Sequence, residues 1–217
     1  VRKMYCLRSF FLFLEDHVNF DHVRVDIPRR NPPKIPKILS EKEVLKILSV
    51  YSGSGFINTR NNTILEALYS TGIRASELCD LKMDSIGEDH LIVDGKGKKQ
   101  RVVPIGTSLR LKLDRYISKC IPYKRSGNFF VSQFFAPLSR VDIWKIVKEA
   151  SIISGINKNV HPHILRHSFA THMMDRGADL VFIRDLLGHS SILTTQIYLQ
   201  VSTRKLKDNF NKYHPRG

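Results

Sequence analysis

The sequence runs to 217 residues with 42% hydrophobic and 25% charged side chains, enough for one full domain plus a fragment or two small domains, which argues against wholesale disorder. Thirty-five Lys and Arg against twenty Asp and Glu leave a formal charge of +15; such an excess costs self-repulsion in the compact state and points to an anionic partner, nucleic acid ahead of an acidic membrane or protein. The longest apolar run, residues 10–14, is far below the ~20 residues that span a bilayer, and Cys6, Cys79 and Cys120, without a CxxC pair, read as reduced thiols of a cytoplasmic protein rather than a disulfide framework.

Residues 1 to about 17 predict an amphipathic helix, with Met4, Leu7, Phe11 and Leu14 at helical spacing. One helix leaves its own apolar stripe uncovered, so this segment is expected to be the last helix of a domain whose beginning lies elsewhere, the more so as the chain starts at Val1 rather than Met. Residues 28–37, PRRNPPKIPK, hold four prolines and four basic residues, which bars a helix interior or a central strand and predicts a stiff, positive linker. The expected organisation is therefore a remnant over residues 1–27, a linker over 28–38 and the main domain over 39–217.

Ser40 with Glu43 forms a capping-box pattern opening a helix whose buried face is expected from Val44, Leu45, Ile47 and Leu48. A second helix is expected over residues 59–70, ended by Gly72, and a short third one from Ile73 through Leu78. The period then changes. Residues 90–93 and 101–105 are β-prone runs around Asp94-Gly-Lys-Gly-Lys-Lys-Gln100, a hairpin with glycines in the turn and lysines at its tip. Helices follow over 107–120, 139–154, from Pro162 to about Arg176 before Gly177, and from the cap Asp179 to Gly188. Ser190 or Ser191 caps a helix containing Tyr198, and Leu206, Phe210 and Tyr213 stripe a last one. The class is mainly α (α+β): a helical domain with one small antiparallel β-hairpin.

Four patterns could carry chemistry. In Thr71-Gly-Ile-Arg-Ala-Ser-Glu-Leu78, Arg74 and Glu77 share one helical turn, so the carboxylate can orient the guanidinium for a phosphate; a surface ion pair is the bland alternative. In Gly95-Lys96-Gly97-Lys98-Lys99-Gln100-Arg101, lysines at a hairpin tip can reach a groove or a reacting phosphate, but the spacing is not that of a P-loop. In His161-Pro-His163-Ile-Leu-Arg166-His167, His163 and Arg166 offer a proton handler and a cation on one face, with Leu165, Phe169 and Met173 toward the core. His163 and His167 have metal spacing but lack further ligands, and His161, His167 and His172 read as capping or packing residues. In Leu187-Gly188-His189, histidine follows a helix-ending glycine, and Tyr198 comes nine residues later.

Together, and in this order, the four patterns resemble the tyrosine recombinase (phage integrase) family, most of all its bacterial Xer branch. The resemblance covers about residues 39–217 and is densest over 162–198. It implies the tyrosine recombinase catalytic fold and a catalytic set of Arg74, Lys96, His163, Arg166, His189 and Tyr198. The two arginines would bind the nonbridging oxygens of a DNA phosphodiester, helped by His163 and His189. Tyr198 would attack phosphorus, Lys96 would protonate the leaving 5′-oxygen, and Glu77 would orient Arg74. A 3′-phosphotyrosyl bond would conserve the energy of the broken one without ATP, metal or other cofactor. Double-stranded DNA is the implied partner, in a homo- or hetero-tetrameric synapse; the resemblance favours exchange of the C-terminal helix between neighbours, while its Leu206/Phe210/Tyr213 stripe equally fits packing on its own domain. Chromosome or plasmid dimer resolution, tied to chromosome partition and cell division, is the expected role, with no membrane partner. Mobile-element integration is the nearest alternative; a type IB topoisomerase or a non-catalytic DNA-binding protein stands further off. The residues name neither the DNA site nor a partner recombinase nor an activating protein.

Overall fold

The computed structural model describes residues 2–18, 38–95, 100–120 and 127–188. The expected linker up to residue 37, the hairpin tip expected around Lys96, His189, the helix expected to contain Tyr198 and the Leu206/Phe210/Tyr213 stripe lie outside the described residues. The chain divides into two units, Val1–Ile35 and Pro36–Gly217. In the first, α1 (Arg2–Val18) shields Met4, Phe11 and Leu14 in part, while Leu7, Phe10, Leu12 and Phe13 stand exposed.

The second unit begins with a clamp. The Leu39 amide donates to Ser168 Oγ at 2.9 Å, and the Leu39 carbonyl lies 2.9 Å from His172 Nε2. A carbonyl only accepts, so Nε2 carries the proton and Nδ1 accepts from the Tyr69 hydroxyl at 2.9 Å. α2 (Glu41–Leu48) follows with both arms of the capping box formed: Ser40 Oγ accepts from the Glu43 amide, and Glu43 Oε2 accepts from the Ser40 amide at 2.7 Å. Val44, Ile47 and Leu48 are buried, but Leu45 is 64% exposed. At 100° per residue position 45 faces away from the 44/47/48 stripe, and among the described residues no second layer covers it.

α3 (Phe56–Thr71) runs through the middle of this unit, packed on α5 (Thr107–Cys120) and α7 (Pro162–Asp175) and touching α2, α4 (Ala75–Asp80) and α6 (Arg140–Ile153). It starts three residues before the expected Thr59, because Gly55 serves as its N-cap without a side-chain bond and Phe56 packs against Tyr116 and Phe135. Ile64, Leu65 and Leu68 of α3, Leu109, Leu113 and Tyr116 of α5, and Leu165 and Ala170 of α7 form the centre of the core. On α7 the fully shielded methionine is Met174; Met173 is only partly buried. α8 (Leu180–Leu187), capped by Asp179, seals one side with Ile183 and Leu187.

The one sheet among the described residues is the expected hairpin: β1 (His90–Asp94) and β2 (Gln100–Pro104), antiparallel, with His90 opposite Pro104 and Asp94 opposite Gln100. Alternation puts Leu91, Val93, Arg101 and Val103 on the inner face and leaves Val102 61% exposed. The fold is thus mainly helical with a two-stranded antiparallel sheet. Among the described residues no helix is long and apolar enough to cross a membrane.

Candidate active site

Two helices of this unit end in glycine for a steric reason. Gly72 closes α3 at φ 62° and Gly188 closes α8 at φ 64°, the left-handed region that a side chain disfavours. A β-carbon on Gly72 would lie 2.5 Å from the Phe169 ring and 2.9 Å from Leu187, so the two helix ends approach each other across α7. Helix C-termini present unpaired carbonyls and partial negative charge, which favours cations there.

Arginines meet that need. Arg166, 4% exposed, donates from Nη1 to the Gly72 carbonyl at 2.6 Å and from Nη2 to the Leu187 carbonyl at 2.7 Å. One buried guanidinium therefore ties both helix ends together. Arg74 Nη2 reaches the next carbonyl, Gly188, at 3.5 Å, and Arg101 Nε takes the preceding one, Leu186, at 2.8 Å. Three arginines from distant parts of the chain thus engage three successive carbonyls at the end of α8, immediately before His189.

Glu77 organises two of them. Its Oε2 accepts from the Arg74 amide at 2.8 Å and its Oε1 from Arg74 Nη1 at 2.6 Å. Arg101 completes the set with Nη1 to Oε1 at 2.9 Å and Nη2 to Oε2 at 2.8 Å. A carboxylate has about four lone-pair sites, and here four donors occupy them. Burial alone would raise this carboxyl; hydrogen bonds from Arg101 and the Arg74 amide and the adjacent charges outweigh it and hold the pKa at about 2. Glu77 is thus a permanent anion at neutral pH, and Arg74, one third exposed, is oriented with part of its guanidinium open to solvent.

His163 stands one turn before Arg166, at the start of α7, where His161 is the N-cap and Pro162 the first residue. Desolvation and then the charges of Arg166 and Arg74 keep its imidazole below the ordinary 6.5. The influence of both charges puts His163 in the same electrostatic field as the two guanidiniums. His161 and His167 are lowered as well, first by desolvation and then by their neighbours. His172 belongs to the clamp on Leu39, away from this cluster's chemistry. Among the described residues no group of three or more His, Cys, Asp or Glu stands placed to hold a metal ion.

Of the residues singled out in the sequence, Arg74, His163 and Arg166 converge here with Glu77, while Lys96, His189 and Tyr198 lie outside the described residues. Arg101 is the participant that motif reading passes over, hidden in a run of basic residues at a hairpin. Strand parity was the available signal: Arg101 shares its face with Val103, two residues on, and not with Gln100 or Val102.

A family model described as the phage integrase family matches residues 37–205. The chain belongs to the phage integrase family. The span matched includes all six positions from Arg74 to Tyr198. Relatives within the family include a protein named tyrosine recombinase XerD from Oceanobacillus iheyensis, 38% identical over 229 residues, covering all of this chain and 75% of the relative. Another, named tyrosine recombinase XerC, from Pediococcus pentosaceus, is 38% identical over 230 residues with the same two coverages. Among solved structures, the crystal structure of XerA recombinase matches with a TM-score of 0.75 and 28% identity, over all of this chain and 76% of that one.

Proposed function

We propose that this chain is a site-specific DNA recombinase that cleaves and rejoins DNA through a 3′-phosphotyrosyl bond to Tyr198. The observation that carries the reading is the locked arginine cluster. Arg166 and Arg74 meet at consecutive carbonyls, Leu187 and Gly188, and burial and their charges keep the pKa of His163 below the ordinary 6.5. The chain continues from there to His189 and Tyr198.

Cleaving a phosphodiester requires removing a barrier on the order of 20 kcal/mol. Preorganised cations aimed at the nonbridging oxygens are the strongest lever, because they need no reorganisation as charge develops on phosphorus. A phenol with an ordinary pKa near 10 is only about one part in a thousand ionised at neutral pH. A neutral His163 can accept the Tyr198 proton as the Tyr198 oxygen bonds to phosphorus and the bond to the 5′-oxygen breaks. Lys96 returns a proton to that leaving oxygen. The phosphotyrosyl ester stores the bond energy, and a 5′-hydroxyl from a partner duplex reverses the step.

Exchange between two duplexes calls for four protomers, with the segment after Tyr198 exchanged between neighbours. Residues 1–27 would belong to a second DNA-embracing domain, joined by the basic linker over 28–38 to the catalytic domain over 39–217. Relatives at 37–39% identity carry Xer names, which favours dimer resolution in the cytoplasm over mobile-element integration. The test is covalent capture from a randomised library of nicked duplexes. The protein is expected to form a denaturant-resistant DNA adduct, and Tyr198→Phe to form none while still binding DNA. An adduct that survives Tyr198→Phe overturns the assignment of the nucleophile.

A further inference from the structure

We infer that Arg101 is a positioning residue of this active site, fixing Glu77, and through it Arg74, to the strand that leads from the hairpin tip and to the end of α8. The inference rests on the recombinase reading above and deepens it.

Three observations converge. The first is parity. In β2 the inward positions are Arg101 and Val103, opposite Val93 and Leu91, and Leu91, Val93 and Val103 are all fully buried. An arginine in that row carries its charge into the protein, and its side chain is only 12% exposed. Such a group needs partners, since an unpaired buried cation is strongly unfavourable.

The second is how it is paired. Arg101 gives Nη1 and Nη2 to the two oxygens of Glu77 and Nε to the Leu186 carbonyl. That planar, three-way geometry belongs to a guanidinium; an ammonium at the end of a flexible stem supplies a point charge and leaves one of these partners unserved. The third is what the partners do. Glu77 is the group that orients Arg74, and Leu186 precedes the two carbonyls held by Arg166 and Arg74. Arg101 also sets the room at the helix end: a β-carbon on Gly188 would lie 3.1 Å from its Cδ and Nη1.

Arg101 therefore acts at one remove from the phosphate. It couples strand β2 to the guanidinium at residue 74, so that a shift of the strand is felt at the cation. Its hydrogen bonds are the foremost of those that offset burial and hold the Glu77 pKa down, so without it the carboxyl takes up a proton at higher pH.

The experiment compares the unsubstituted protein with Arg101→Gln and Arg101→Lys, measuring adduct formation at saturating nicked DNA, DNA affinity and the pH profile. Arg101→Gln is expected to slow cleavage roughly 10- to 100-fold, the size of effect that misplacing a catalytic group produces. DNA affinity should stay within about twofold, as for a group that makes no phosphate contact. A new acid limb should appear at higher pH as Glu77 takes up a proton. Arg101→Lys is expected to restore the ionisation of Glu77, and with it the pH profile, but only part of the rate. Should Arg101→Gln not fold, Arg101→Lys decides: a rate deficit at unchanged affinity supports the inference, and an unchanged rate overturns it. A folded Arg101→Gln with unaltered rate and profile, or one whose whole defect lies in DNA affinity, also overturns it. Absence of an adduct with the unsubstituted protein strikes instead at the recombinase reading.

Discussion

Burial and two arginine charges disfavour a proton on His163. Desolvation first, then the charges of Arg166 and Arg74, keep its imidazole below the ordinary 6.5, which suits the proposed role of proton acceptor. Cleavage should therefore persist as pH falls through 6.5 and decline only below it. In a histidine NMR titration the resonance assigned to His163 should titrate below 6.5, and Arg74→Gln should move it upward; a midpoint at or above 6.5 in the unsubstituted protein contradicts the geometry. Glu77 has the opposite duty. Its folded pKa is depressed, so its stabilisation is complete above the ordinary 4.5 and is lost as pH falls toward about 2. These roles were unevenly legible in the sequence. Arg74 and Glu77 lie three apart and His163 and Arg166 lie three apart, so local spacing exposed each pair. Arg101 and Glu77 are 24 positions apart, and only the fold brings them together.

At the scale of elements, the end of α8 is the joint on which the site turns. Three carbonyls left over by the helix are each taken by an arginine from a different element, and Gly188 makes the turn that follows. Gly188→Ala should cost about 1–2 kcal/mol in stability from its left-handed backbone. It should also slow cleavage, because the added methyl presses on Arg101; thermal unfolding and adduct formation check the two effects, and an unchanged rate would mean that this end is not held as described. The helices were readable where a cap or a stripe announces them. Ser40 with Glu43 and Asp179 capped as expected. The start of α3 was not readable, because Gly55 offers no capping side chain and packing of Phe56 supplies the missing turn. Leu45 shows the limit of counting apolar residues, since only a neighbour on the right side decides which of them is buried.

For the molecule as a whole, charge and topology divide the work. The surplus of +15 far exceeds what one phosphate needs, so on the proposed function most of it would serve binding along the duplex. DNA affinity should fall steeply with salt, on the order of 1,000-fold between 50 and 200 mM if about six phosphates are neutralised. A shallow dependence in a filter-binding titration would argue against an extended DNA contact. α7 joins the ends of this arrangement: its first turns carry His163 and Arg166, while Ser168 and His172 grip Leu39 where the second unit begins. That clamp left no trace in the sequence beyond two ordinary side chains, because its partner is backbone and sits about 130 residues away.

The most direct measurement is to digest the captured protein–DNA adduct and identify the DNA-linked peptide by mass spectrometry. The account predicts a single peptide, from the segment following Gly188, bearing a 3′-phosphonucleotide on Tyr198. Linkage at any other tyrosine, or through serine or histidine, would contradict it.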